Sequence, residues 1–194
     1  MVSRSTEVTE RQASKPPILL SRFTDQQGLQ AAYGTDENVV THGDTLYVSG
    51  TKHADSLLDI AGGGSFVEHL IAGDLQDVWD DLKIPFGLTS KAQRYQEAEA
   101  ALLANPAIKN VTGHSLGGSV ALELAKNHPE RELVTRTYGA PVSTLADDQG
   151  ERFRHPGDPV SMFDFGAQEA PAPDWNPHSY EGFDIPATQS TAPA

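Results

Sequence analysis

The sequence predicts an α/β protein, a compact and mostly parallel sheet flanked by helices, and two observations predict it. A run of strong helix formers, "SKAQRYQEAEAALLAN", leads into a β-branched run, "AIKNVTG", then a second helical run, "SLGGSVALELAKNH", and a second strand-like one, "ELVTRTYGAP". Helix and strand in quick succession are the rhythm of parallel strands joined by crossover helices. The length of 194 residues suits one such domain rather than two, because single domains most often hold about 100–150 residues.

Taken in order, the elements begin after a polar stretch. Residues 1–16 and 185–194 carry too few large apolar groups to offset the entropy of ordering them, so both are expected to be flexible tails around a single domain at 17–184. "TLYVSG" reads as a strand running into a glycine turn, and "HADSLLDI" as a short helix. In residues 61–82 three glycines precede Phe66, Val67, Leu70 and Ile71 at helical spacing, which suits either a hinged lid or an ordinary surface helix. The run from Ser90 to Asn105 starts at a capping serine and stops before Pro106. "AIKNVTG" is a strand, the helix that follows is ended by Pro129, and "ELVTRTYGAP" alternates as a strand should. "ERFRHPGD" is a weaker strand entering a turn, and a long Pro-rich and aromatic stretch closes the domain.

Composition excludes several classes of function. A net charge of −13 repels phosphate backbones, so nucleic acid is not an expected partner. With no cysteine, disulfides, thiolate metal sites and a cysteine nucleophile are all excluded. The polar N-terminus does not read as a secretory signal, and no run nears the roughly 20 apolar residues that span a bilayer; the expectation is a soluble, intracellular protein. The acidic residues Asp74, Asp77, Asp80 and Asp81 lack the spacing and glycine of a calcium loop and read as a charged helix face, so no metal and no cofactor are expected.

The chemistry centres on Gly113-His114-Ser115-Leu116-Gly117. G-x-S-x-G between a strand and a helix has the pattern of a nucleophile elbow, where a strained serine at a sharp turn needs small residues two places before and after it. Gly113 and Gly117 meet that need, and Gly118 lets the helix lie close to the sheet. If Ser115 were only a helix cap, the glycines after it would weaken the helix by roughly 1 kcal/mol each relative to alanine without return. The Leu116 N–H, at the start of the helix, is a natural donor to a developing oxyanion.

A serine nucleophile needs a base. His114 is expected to diverge from Ser115 at the tight turn and to be buried beside the strand as a packing or hydrogen-bonding residue. Where the elbow leads, an acid and then a histidine follow in chain order, which leaves His155 and His178. His155 reads equally as a surface residue at a strand end, and His178, late in the last loop, is favoured. For the acid, Asp158 in its Pro-Gly turn is favoured over Asp164 and Asp174, with Asp147 and Asp148 weaker candidates.

Together "VTGHSLGGSVALELA", "TYGAPV", "HPGDPV" and a histidine near the C-terminus resemble the class 3 lipases, a family of fungal triacylglycerol lipases and related phospholipases and esterases with the α/β-hydrolase fold. In that family a "GAP" turn commonly ends the strand after the elbow helix and an Asp-Pro-Val turn supplies the acid. "YVSGTKHADSLLDI" is similar to the family's Gly-Thr strand end and aspartate-containing helix, which implies Thr51 as the second oxyanion contributor and Asp59 as a nearby structural acid. The resemblance runs from about Leu46 to His178. Ser49 stands where an arginine is usual, and the N-terminal portion is shorter than in secreted members.

The function these residues imply is a serine carboxylic-ester hydrolase acting on lipid or other ester substrates, at a membrane or micelle surface if residues 61–82 form a lid. Ser115, Asp158 and His178 would be its triad, with Thr51 and Leu116 stabilising the oxyanion. The alternative is a silent binding module that keeps the scaffold and uses its cleft to hold a partner.

Overall fold

A computed structural model describes residues 23–52, 88–141, 150–158, 160–162, 164–170, 178–181 and 183. The short helix expected from His53 to Ile60, the lid segment 61–82 and the acidic residues within it lie outside the described residues, as do Asp59, Asp147, Asp148 and Asp174 and the tails 1–16 and 185–194.

Three described α-helices, α1 (Asp25–Gly34), α2 (Leu88–Ala104) and α3 (Leu116–Asn127), accompany a six-stranded sheet of β1 (Val39–His42), β2 (Thr45–Val48), β3 (Asn110–His114), β4 (Val134–Tyr138), β5 (Glu151–Arg154) and β6 (Gln168–Glu169). Strand order in space equals order in the chain, β1 through β6. Only β1 and β2 pair antiparallel, and the other four pairings are parallel. The α/β class and the strands expected at β2, β3, β4 and β5 are therefore as the sequence predicts. The helix read from Ser90 begins instead at Leu88, so Ser90 lies in its first turn rather than capping it.

Side chains alternate across the sheet, and each face receives helices. Leu46 and Val48 of β2 and Val111 of β3 pack with Ala98 and Leu102 of α2 and Val120, Ala121 and Leu124 of α3 in one fully buried cluster. Burying each of its larger side chains contributes roughly 1.5–3 kcal/mol. The opposite face carries Thr112, Arg136 and Tyr138, and α1 covers it.

That second face is polar because α1 brings a carboxylate to it. Asp25, fully buried, accepts from Arg136 Nη1 at 3.0 Å, Tyr138 Oη at 2.7 Å and Thr112 Oγ1 at 3.4 Å. Arg136 also bonds Glu151 on β5, so one cation joins α1 to two strands. Burial pushes the Asp25 carboxyl up from its ordinary range, against the pull of Tyr138 and Arg136. α1 itself starts with a capping box: the Thr24 hydroxyl accepts from Gln27 N–H at 3.2 Å, and the Gln27 side chain accepts from Thr24 N–H at 2.9 Å.

The strands' carboxyl ends gather the segments of interest. Gly50 follows β2, Ser115 follows β3, Gly139 follows β4, and Asp158 lies in the turn after β5. In open parallel sheets this edge is where ligands bind.

Candidate active site

Ser115 sits between β3 and α3 with φ 54° and ψ −129°, a conformation that a side chain rarely adopts. Its N–H donates to Tyr138 O at 2.9 Å, and its carbonyl accepts from Gly118 N–H at 2.9 Å, so neighbours on both sides hold the turn. The turn tolerates nothing larger than hydrogen at its flanks. A Cβ on Gly113 would stand 2.2 Å from Gly117 O, and one on Gly117 would stand 2.2 Å from Val48 O. A Cβ on Gly118 would lie 2.6 Å from that of Ala140, which is how α3 comes down onto the sheet.

The Ser115 hydroxyl makes no capping bond to its helix. It lies 2.9 Å from His178 Nε2, while His178 Nδ1 lies 2.9 Å from Asp158 Oδ1. A carboxylate can only accept, so Nδ1 carries the proton, and Nε2 is left with a lone pair facing Ser115 Oγ–H. Asp158 is buried, and two further donors hold it, Val160 N–H at 2.9 Å and Ser161 Oγ–H. With both oxygens engaged, the carboxylate cannot swing away from the imidazole. This chain of serine, imidazole and carboxylate can move a proton off Oγ as the oxygen attacks an electrophile.

The expected oxyanion donors border the same serine. Leu116 is the first residue of α3, where N–H groups have no partner within the helix. Thr51 follows Gly50, which is close enough to the nucleophile that a Cβ on it would stand 2.6 Å from Ser115 Cβ. The structure thus brings Ser115, Asp158 and His178 into contact and sets Leu116 and the Gly50–Thr51 turn beside them.

The competing candidates among the described residues lie elsewhere. Asp164 accepts from Arg152 Nε at 3.2 Å and is buried against it. Desolvation raises its pKa, and Arg152 opposes the rise. His155 is not the surface residue that its place at a strand end suggests: it is 1% exposed, its ring stacks on Phe183 at a centroid distance of 3.8 Å, and Nδ1–H donates to Ala170 O at 3.1 Å. Phe183, from beyond β6, covers it, and no local pattern around "FRHPGD" announces that contact. His114 is buried and hydrogen-bonded beside Ser115, as its position in the turn requires.

Sequence reasoning missed two contributors. Tyr33, on the unassigned helix α1, bonds both Gly50 N–H and His114, and Gly139, noted only as part of "YGAP", lies against the Asp158–His178 pair. A glycine between a strand and a proline was the one available signal for Gly139; Tyr33 had none.

No family model, no curated protein and no solved structure matches the chain. Among the described residues, no group of three or more His, Asp or Glu side chains is placed to hold a metal ion, and no helix is long and apolar enough to cross a membrane.

Proposed function

We propose that the chain is a serine carboxylic-ester hydrolase of the α/β-hydrolase type, acting on lipid or related esters. The observation that carries the reading is the uncapped Ser115 hydroxyl, presented at φ 54° and 2.9 Å from the imidazole of His178, which Asp158 holds in turn. A serine serving only as a helix cap would direct its oxygen to the backbone.

In the proposed mechanism Ser115 Oγ attacks the ester carbonyl carbon as His178 Nε2 takes its proton. The carbon–oxygen bond to Oγ forms, and the carbonyl oxygen becomes an oxyanion, stabilised by the N–H groups of Leu116 and Thr51. Removing one such donor typically costs about 3 kcal/mol of barrier. Collapse of the tetrahedral intermediate breaks the bond to the leaving alcohol, which takes the proton from His178. Water, deprotonated by the same nitrogen, then attacks the acyl-enzyme; the acyl bond to Ser115 Oγ breaks, the acid leaves, and His178 returns the proton to Oγ. Asp158 keeps Nδ1 protonated and faces the imidazolium at each step.

The lipid part of the reading rests on the likeness of "GHSLGG", "GAP" and "GDPV" to the class 3 lipases. The decisive experiment is fluorophosphonate labelling of the purified protein followed by peptide mapping. A single adduct on Ser115, absent in Ser115→Ala, supports the proposal. A folded protein that takes no label overturns it in favour of a binding module. Rates on short and long acyl esters, with and without micelles, then test the lipid preference and the lid expected at 61–82.

A further inference from the structure

We infer that Tyr33 and His114 position the base, through a run of three hydrogen bonds that ties the backbone of His178 to the Gly50–Thr51 turn on the other side of Ser115. The inference rests on the proposed roles of Ser115 and His178.

The direction of every bond in the run follows from the groups themselves. The His178 carbonyl can only accept, so His114 Nε2, 3.1 Å away, must carry a proton. His114 is completely buried, and desolvation holds its pKa well below the ordinary value, which keeps the ring neutral and leaves Nδ1 as a bare acceptor. The Tyr33 hydroxyl, 2.6 Å from Nδ1, therefore donates to it. Its oxygen in turn accepts from Gly50 N–H at 2.9 Å. The run reads Gly50 N–H to Tyr33 Oη–H to His114 Nδ1, with Nε2–H to the carbonyl of His178. The far side of the Gly50 peptide is also held, since Arg94 Nη2 donates to Gly50 O at 3.0 Å.

Ring contacts hold the same parts together. Tyr180, two residues beyond the base, stacks on Tyr33 at 5.0 Å and meets His114 edge-on at 5.6 Å. The His114 and His178 rings lie 5.0 Å apart. His114 belongs to β3, whose residues are all buried, so the base and the oxyanion turn are referenced to one rigid point next to the nucleophile. The base follows the last described strand, and this relay ties its backbone to the sheet through β3. Misplacing a reacting group by about 1 Å can cost about 100-fold in rate, which is the scale on which such a constraint acts.

Tyr33→Phe removes the hydroxyl and keeps the ring that stacks on Tyr180. It is expected to lower kcat for ester hydrolysis about 10- to 100-fold with KM within about twofold, since the loss is one of alignment and not of substrate contact. His114→Gln keeps a donor for the His178 carbonyl and an acceptor for Tyr33, and is expected to recover most of the rate that His114→Ala loses. Nitrogen-15 spectra of the wild-type imidazoles need no variant to fold: His114 is expected in the neutral form protonated at Nε2. A Tyr33→Phe protein with wild-type kcat, or a His114 protonated at Nδ1 alone, overturns the inference. If wild-type protein neither hydrolyses esters nor takes the fluorophosphonate, the proposed function has failed, and the His114 tautomer alone then decides whether the relay exists.

Discussion

Gly139 is packed against Asp158: a Cβ at position 139 would stand 3.0 Å from Asp158 Oδ2, and only 3.3 Å from His178 Nδ1. With φ +56°, the position also lies where L side chains are strained. Gly139→Ala therefore adds about 1–2 kcal/mol of backbone strain and presses a methyl group on the pair that orients the imidazole. Its kcat is expected to fall at least about tenfold while the fold survives. Parallel measurement of ester turnover and of the urea midpoint separates the two effects, and an undiminished kcat would show that the pair tolerates displacement.

Ser115→Ala and His178→Ala are each expected to abolish ester hydrolysis and labelling without unfolding the protein. His155→Ala should behave differently. It removes a ring stacked on Phe183 and a hydrogen bond to Ala170, so it is expected to lose about 1–3 kcal/mol of stability and to retain hydrolysis. Turnover assays at a temperature where all three variants stay folded check this, and an inactive, folded His155→Ala would reassign the base.

Phe183 packs with Leu29 and Tyr138 in a buried cluster, with ring centroids 4.7 Å from Tyr138 and 3.8 Å from His155. Phe183→Ala leaves a cavity under the segment that bears His178. The expected loss is about 3–5 kcal/mol, read by thermal or chemical unfolding, together with slower labelling of Ser115. Labelling at the wild-type rate in a destabilised protein would show that His178 is held independently of this anchor.

Asp25 supplies a pH test. Its folded pKa is raised above the ordinary 3.8 by burial. Between the unfolded and folded values the folded state holds a proton that the unfolded state has lost, so this group's contribution to stability is full below pH 3.8 and falls as pH rises through the folded value. Asp25→Asn lacks that fall. Unfolding free energies of both proteins, followed upward from acid pH, are expected to show the variant gaining on the wild type as pH rises; a constant difference would mean that Asp25 keeps its ordinary pKa in the fold.

What the sequence made legible tracks how local each signal is. β3, α3 and β4 read correctly because their patterning and the glycines of the elbow are contained within a few residues of one another. Asp158 and His178 were reachable from their order after Ser115 and from the turn around Asp158. α1 was not, because its buried face carries Asp25 and Gly28: the first needs Arg136 more than a hundred residues away, and the second is small only because Tyr47 lies against it. β6 holds two residues, too few to establish a period. Tyr33 and the buried state of His155 depend on chain segments that return from far along the sequence, so composition near them is silent.

The sheet's spatial order has a consequence for how the protein comes into being. Because each described strand joins the edge left by the one before it, the sheet can extend steadily as the chain emerges from the ribosome. The serine is in place after the third strand and the carboxylate after the fifth, whereas His178 follows the sixth. A nascent chain therefore forms the described strands before the imidazole partner of Ser115 arrives. A chain stalled before residue 178 would present the Ser115 hydroxyl without the imidazole that faces it in the complete fold.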